Sequence, residues 1–545
     1  MAAEFALDHM YHWIYILAII VSFLMAWGIG ANDVANSFGT SVGSGAITMK
    51  QAVVIAWVFE FCGAFFMGGR VADTMKGGIV DPKIFLIPDG KFDKAGAALL
   101  MWGMFIAIAV AAVWIVLATF YGMPISTTHS IIGSFIGFSM VAKGANSVFW
   151  YKEDPTSDLK VGGFAAIVVS WVLTPLIAGM ASVVLFTFTK IVILRPQNSE
   201  RRTLIAMPIY YGLTAFIITF FIVYKGSARL KLSDIGNGKA TWIAIVVAVG
   251  VASLAALIGI PLAKRRLANL EDRKQHKAEQ KARDRALIAQ VAGGGAKECD
   301  EEKGEQGCKA PASRVEEDGA GPLMTTWQRV KAWYLLVESK TISHDLEFTE
   351  HTLDLHSRAE MFDERSEELF SFLQVLTACA AAFAHGSNDT ANAIGPLSAV
   401  QNIYQGDAVK FDAKKGKLTL PKLEVESWQL AMGGFALGLG FAVWGWRMVR
   451  NLGGAVTKMT PSRGFTAELC AAMTVVVASR FGMPISTTQT LVGATIGVGA
   501  SDDWRNVDWW LFGQFVISWV VTILFAGFGT AAVFSFTVFS PSVQV

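Results

Sequence analysis

Apolar stretches at residues 13–29, 97–120, 163–189, 204–224, 241–263, 369–384, 429–446, 465–479 and 509–538 are the features that most restrict what this chain can fold into. Most are long enough to cross roughly 30 Å of hydrocarbon as a helix. Within lipid every backbone polar group must be satisfied internally, so only helices and closed barrels cross it. Barrel strands alternate polar and apolar residues, and these stretches do not. The expected fold class is therefore an all-α polytopic membrane protein. Shorter apolar segments at 51–68, 125–142 and 485–500 fit full spans, half-helices or hairpins. The first stretch follows Glu4, Asp8, His9 and His12 and lacks the basic lead and small-residue cleavage site of a signal peptide. It is read as a retained first span.

Charge collects outside these stretches. Charged residues make up 17% of the chain, against about a quarter in soluble proteins. From 264 to 368 the composition turns mixed-charge, then glycine-rich and acidic, as expected of a helical extension followed by disorder, with a second helical piece at 327–336. Lys264, Arg265 and Arg266 at its edge favour the cytoplasmic side. The net charge of +2 says little about partners, because nearly all the charge sits in loops, and no nucleic-acid partner is expected. Cys62, Cys379 and Cys470 lie in apolar stretches, and Cys299 and Cys308 in the charged segment, without metal-ligand spacing. The organisation expected is a membrane repeat at 1–263, a partly disordered cytoplasmic loop at 264–368, and a second membrane repeat at 369–545.

The two membrane parts repeat each other. Gly30-Ala31-Asn32-Asp33-Val34-Ala35-Asn36 returns as Gly386-Ser387-Asn388-Asp389-Thr390-Ala391-Asn392, and Gly122-Met123-Pro124-Ile125-Ser126-Thr127-Thr128 returns as Gly482-Met483-Pro484-Ile485-Ser486-Thr487-Thr488. Each second motif leads into an apolar segment with paired glycines, Gly133 and Gly137 against Gly493 and Gly497. Internal duplication with interrupted helices in matching places points to a secondary transporter and to its site.

The chemistry of the motifs is complementary. Proline suits a helix's first turn, and behind it Ser126, Thr127 and Thr128, with Ser486, Thr487 and Thr488, place hydroxyls and free N–H groups at the positive end of a helix dipole. Two such ends facing each other would surround an oxyanion. Asp33 and Asp389 are carboxylates in membrane stretches, a functional signal by default. Their neighbours Asn32, Asn36, Asn388 and Asn392 add hard oxygen ligands suited to Na⁺, and either Asp can alternatively carry a proton. The glycines around them are expected to let the chain unwind and turn carbonyls inward. Cations between anion and carboxylates neutralise both, which is a physical basis for coupling. Glu468 is a candidate third cation or proton site. Glu60 is read as either a transport residue or a structural ion-pair partner of Arg70. Arg70 and Arg447 are expected to snorkel, and His129 and His385, each beside a motif, to serve as polar packing, with a proton relay as the alternative. No nucleophile–base pair or metal cluster appears, so an enzyme is not expected, and no cofactor is implied beyond the coupling ion.

Gly30–Gly45, Ala384–Pro396 and the paired Pro-Ile-Ser-Thr-Thr strings resemble the signatures of the inorganic phosphate transporter family, PiT, over roughly 10–265 and 366–540. The first string is most similar to the sodium-dependent phosphate symporters. The resemblance implies Na⁺-coupled phosphate import at the plasma membrane, through about 12 transmembrane and hairpin helices in two inverted repeats with broken helices. It also implies an elevator-like movement and a homodimer. Carried over by position, phosphate falls to Ser126, Thr127, Thr128, Ser486, Thr487, Thr488, Asp33, Asn36, Asp389 and Asn392. Sodium falls to Asn32, Asp33, Asn36, Asn388, Asp389, Asn392 and Glu468. One departure is Thr127, where some animal relatives carry Gly. Rival readings are a proton-coupled phosphate or sulfate carrier and a phosphate-sensing membrane receptor.

Overall fold

A computed structural model describes residues 5–153, 161–224, 236–291, 350–412, 417–421, 425–452, 454–480, 483 and 485–539. The segment at 292–349, with Cys299, Cys308 and the helical piece at 327–336, lies outside these residues, as do Pro484 and the Arg70 side chain. The described chain is nearly all helix, and its strands form two short hairpins, 152–153 with 161–162 and 410–412 with 417–419.

Among the described residues, eight helical segments are long and apolar enough to cross a membrane. In chain order the helices are α1 (His12–Ile29), α2 (Ala35–Gly43), α3 (Met49–Gly77), α4 (Pro82–Leu86), α5 (Lys94–Phe120), α6 (Thr127–Lys143), α7 (Gly163–Thr189), α8 (Ser199–Tyr224), α9 (Asn237–Leu254), α10 (Ile260–Ala268) and α11 (Leu270–Val291). They continue as α12 (Glu350–Arg358), α13 (Glu364–Gln405), α14 (Ser427–Trp444), α15 (Trp446–Leu452), α16 (Pro461–Arg480), α17 (Thr487–Asp502) and α18 (Trp509–Phe539). The chain divides into two units, Met1–Pro261 with Phe348–Val545, and Leu262–Glu347. In the second unit the described part is helical, the end of α10 followed by α11.

The ambiguous apolar segments resolve by length. The segment at 51–68 sits inside the 29-residue α3, a full span. Those at 125–142 and 485–500 become α6 and α17, of 17 and 16 residues, short of a full crossing at about 1.5 Å per residue.

Chain ends are set by local chemistry. Asp93 and Asp363 cap α5 and α13 by accepting from the Gly96 and Ser366 amides. At the Asn-Asp motifs the expected unwinding does not occur. Between α1 and α2 the helix widens for one π turn, Gly30–Val34, and α13 runs unbroken for 42 residues through Asn388 and Asp389. The helical breaks fall instead at the hydroxyl motifs, between α5 and α6 and between α16 and α17. The motif glycines serve close packing. A Cβ on Gly30 would meet the Leu437 carbonyl oxygen at 2.0 Å, and one on Gly386 the Glu60 carbonyl oxygen at 2.3 Å. Small residues at such crossings let backbones touch, which is how membrane helices gain packing that lipid cannot give.

The repeats interlock. α1 packs on α14 and α13 on α3, while α6 packs on α18 and α17 on α7. The paired glycines make the last two crossings: Gly133 and Gly137 face the Ile523 and Gly527 carbonyls, and Gly493 and Gly497 face those of Pro175 and Gly179. The far end of α17 is held by ions. Buried Arg463 lies between the Phe186 and Phe362 rings and bonds to Asp502, which also accepts from Lys190 Nζ at 2.9 Å. Beside them Arg195 donates to Glu360 through Nε (2.8 Å) and Nη2 (2.9 Å), and holds that carboxyl below the usual carboxylate range.

Candidate functional site

The two helical breaks bring both hydroxyl motifs against both Asn-Asp motifs. Ser126 and Ser486 are the N-caps of α6 and α17, each Oγ accepting from the amide three residues on, His129 and Gln489, at 3.3 Å. The next hydroxyl in each copy reaches the aspartate of its own repeat. Thr127 Oγ1 donates to Asp33 Oδ2 at 2.7 Å, and Thr487 Oγ1 to Asp389 Oδ2 at 2.7 Å. The third hydroxyl crosses over. Asn36 Nδ2 donates to Thr488 Oγ1 at 3.0 Å, and Asn392 Nδ2 to Thr128 Oγ1 at 3.2 Å. Each site is thus built from both repeats.

The remaining asparagines brace the breaks. Asn32 donates to Thr119 Oγ1 (3.0 Å) and the Met123 carbonyl (3.1 Å), and accepts from the Ile125 amide (3.2 Å). Asn388 donates to the Ile485 carbonyl at 2.8 Å. In this structure, then, Asn32 and Asn388 place the motif that follows the break, whereas Asn36 and Asn392 face the hydroxyls.

All these side chains are buried. Two acceptor oxygens among them, Asp33 Oδ1 and Asn36 Oδ1, have no hydrogen-bond partner. Ligand atoms of Asp33, Asp389 and His385 lie within 4.8 Å of one another. Two carboxylates so close in a water-poor setting repel each other, and a small cation between them relieves that repulsion and takes up the unpaired oxygens. A crevice of about 30 Å³ beside them is lined by Asn36, Thr40, Thr457, Thr488 and Leu491, room for about one water-sized species. The first-turn amides of α6 and α17 add donors for an anion.

Glu468 stands at a second buried carboxylate site. Its Oε1 accepts from Ser41 (2.5 Å), Thr40 (2.7 Å) and Gln374 Nε2 (2.9 Å), and its Oε2 from Thr377 (2.7 Å). These partners come from α2 and α13, so the carboxylate ties α16 to both Asn-Asp segments. Sequence reasoning named Glu468 but missed its cage; Gln374, a lone amide in an apolar stretch, was the available signal.

Glu60 has a described partner in His385, whose Nδ1 lies 2.8 Å from Glu60 Oε2, while His385 Nε2 lies 3.2 Å from Asp389 Oδ2; the Arg70 side chain lies outside the described residues. His385 is therefore hydrogen-bonded to Glu60 and lies beside Asp389. The spacing of four residues to Asp389 on one helix face was the signal that sequence reasoning passed over. The Arg447 guanidinium lies over the rings of Phe120, Trp444 and Trp446. Cys62, Cys379 and Cys470 are free thiols.

Comparison with known proteins adds independent findings. A family model described as the phosphate transporter family matches residues 29–530. A putative phosphate permease of Haemophilus influenzae is 32% identical, the match covering 96% of each chain. A phosphate-repressible phosphate permease of Neurospora crassa is 30% identical, over 95% of this chain and 96% of its own. Sodium-dependent phosphate transporter 1-A of Danio rerio is 29% identical, over 96% of this chain and 94% of its own. A solved structure titled "The sodium-dependent phosphate transporter" superposes with a TM-score of 0.67 at 28% identity, covering 97% of this chain and all of that one.

Proposed function

The chain belongs to the phosphate transporter family, and on that premise we propose that it is a sodium-coupled symporter importing inorganic phosphate by alternating access. It is a transporter and an integral membrane protein. The observation that carries the sodium assignment is the pair of buried aspartates with hard oxygens left unpaired, Asp33 Oδ1 and Asn36 Oδ1, beside two hydroxyl-bearing helix N-termini.

The residues suggest an order of events. Without cations, Thr127 and Thr487 spend their hydroxyl protons on the aspartates. A sodium ion between Asp33 and Asp389 satisfies the carboxylates instead, and the hydroxyls turn toward phosphate together with the first-turn amides of α6 and α17. Phosphate in turn offsets the added positive charge. Neither ion is well placed alone, and that mutual dependence couples the fluxes. Ser126, Thr127, Thr128, Ser486, Thr487 and Thr488 form the phosphate cradle in this reading, and Asn36 and Asn392 adjust it. Glu468 holds a further sodium, its four donors becoming free as the cation arrives. Two Na⁺ with H₂PO₄⁻ would carry one net charge inward, worth about 2.3 kcal/mol per 100 mV.

We further propose that residues 1–263 and 369–545 are inverted repeats that move in an elevator-like manner, that the protein is a plasma-membrane homodimer, and that 264–368 faces the cytoplasm. One observation favours a second reading: the Glu60–His385 hydrogen bond, with Asp389 beside the ring, offers a proton a route. Radiolabelled phosphate uptake into proteoliposomes separates the two. Replacing external Na⁺ with choline should abolish uptake. Uptake that persists in choline but collapses when the proton gradient is dissipated would select proton coupling, and binding without flux would select a receptor.

A further inference from the structure

Behind the two cradles lies a cavity of about 820 Å³ between α7, α17 and α18. Its walls are apolar, with Leu176, Met180, Val516 and Val520 open to the exterior. Volume and lining match pockets that hold small apolar ligands, about 300–1,000 Å³ with a few convergent polar groups.

Besides Trp509, whose indole donates to the Trp504 carbonyl, four polar side chains line it, and they come in matched pairs. His129 and Gln489 each sit three residues after the capping serine of their motif, and Trp171 and Trp519 each sit four residues before the carbonyl that faces the paired glycines. All four side chains line the cavity. Gln489 Oε1 and the Trp171 and Trp519 Nε1 atoms are buried without a hydrogen bond, and the His129 ring meets the Trp519 backbone. His129 and Gln489 are 1% and 2% exposed. Polar atoms left unpaired at membrane depth are costly. An acyl chain, or the apolar face of a second copy of this chain, fills the volume and leaves that cost in place. Water pairs with the polar atoms and leaves the apolar walls wet.

We propose that this cavity binds a hydroxyl-bearing membrane lipid, its apolar body against α7 and α18 and its hydroxyl among Trp171, Trp519 and Gln489. A hydroxyl accepts from an indole N–H and donates to the amide oxygen, which supplies what both kinds of orphan need. His129 and Gln489 lie within two residues of Thr127 and Thr488. An occupant therefore bears on the first turns of α6 and α17, and its presence shifts how readily those turns open. The inference does not depend on which coupling ion the site takes.

The test uses the full chain in nanodiscs with two diazirine probes, a sterol and a long-chain alcohol, whose arms distinguish the two lipid sources. Crosslinks should map to 163–189 or 509–539 and be competed by the unlabelled hydroxylated lipid about tenfold better than by the same hydrocarbon without its hydroxyl. Gln489→Leu and Trp519→Phe should each erase that preference, and Leu176→Trp should block labelling by filling the cavity. Where Leu176→Trp fails to fold, the other two variants decide. Labelling elsewhere, equal competition by the hydrocarbon, or crosslinks joining two copies of the chain through this face would overturn the proposal.

Discussion

Asp33 and Asp389 descend from one duplicated motif and now live in different company. Asp33 has one hydrogen-bond donor, Thr127, and a bare second oxygen. Asp389 accepts from Thr487 and Asn392 and faces His385. The difference lies in the neighbours. Where Gly386 touches Glu60, Gly30 touches Leu437, and the residue before Gly386 is His385 while the residue before Gly30 is Ile29. Glu468 likewise has Ile108 at the matching place in the first repeat. The threonine–aspartate contacts are alike in both repeats, whereas His385 and Glu468 have no charged counterpart in the first.

Four experiments strain that comparison. The largest effect is expected from Asp33→Asn and Asp389→Asn, each lowering sodium-driven phosphate uptake by about 100-fold or more while protein still reaches the membrane, since each removes a charge the cation needs. Near-normal uptake in either variant would end the paired-carboxylate account. Glu468→Gln comes next. It sets an amide N–H₂ among four donors, and a lost charged hydrogen bond of about 2 kcal/mol corresponds to roughly 30-fold in sodium affinity, read as a rise in the sodium concentration for half-maximal uptake. An unchanged sodium dependence would make the cage structural.

A double-mutant cycle of Glu60→Gln and His385→Gln addresses the side that diverged. Coupling of about 1–2 kcal/mol in transport rate is expected for groups in direct contact, and simple additivity would show that the contact plays no part in the cycle. The smallest effect belongs to Thr127→Val and Thr487→Val. Each should raise the phosphate KM by about five- to tenfold, the loss of one hydroxyl partner, and by similar amounts because their geometries match. Unequal effects would place phosphate off the pseudo-symmetry axis.

Much of this was legible in the sequence because membrane helices carry their signal in long apolar runs, and a duplication repeats its motifs in register. Asp33, Asp389 and the threonines were found for that reason. The helical break was misplaced because glycine signals both unwinding and close approach, and only the facing carbonyls of Leu437 and Glu60 decide between them. Arg70 was offered as a partner of Glu60 because it is near in sequence, whereas the contact with His385, 325 residues away, leaves no local trace. The donors around Glu468 come from α2 and α13, and no local pattern records that meeting.

The central claim is that cation and phosphate require each other at a site built from both repeats. Equilibrium binding of radiolabelled phosphate to purified protein, titrated against Na⁺ at constant ionic strength, tests it most directly. Phosphate affinity should rise steeply with Na⁺ in the wild type, and by linkage phosphate should tighten Na⁺ binding equally, with both effects lost in Asp33→Asn. Phosphate affinity that is the same with and without Na⁺ would contradict the account.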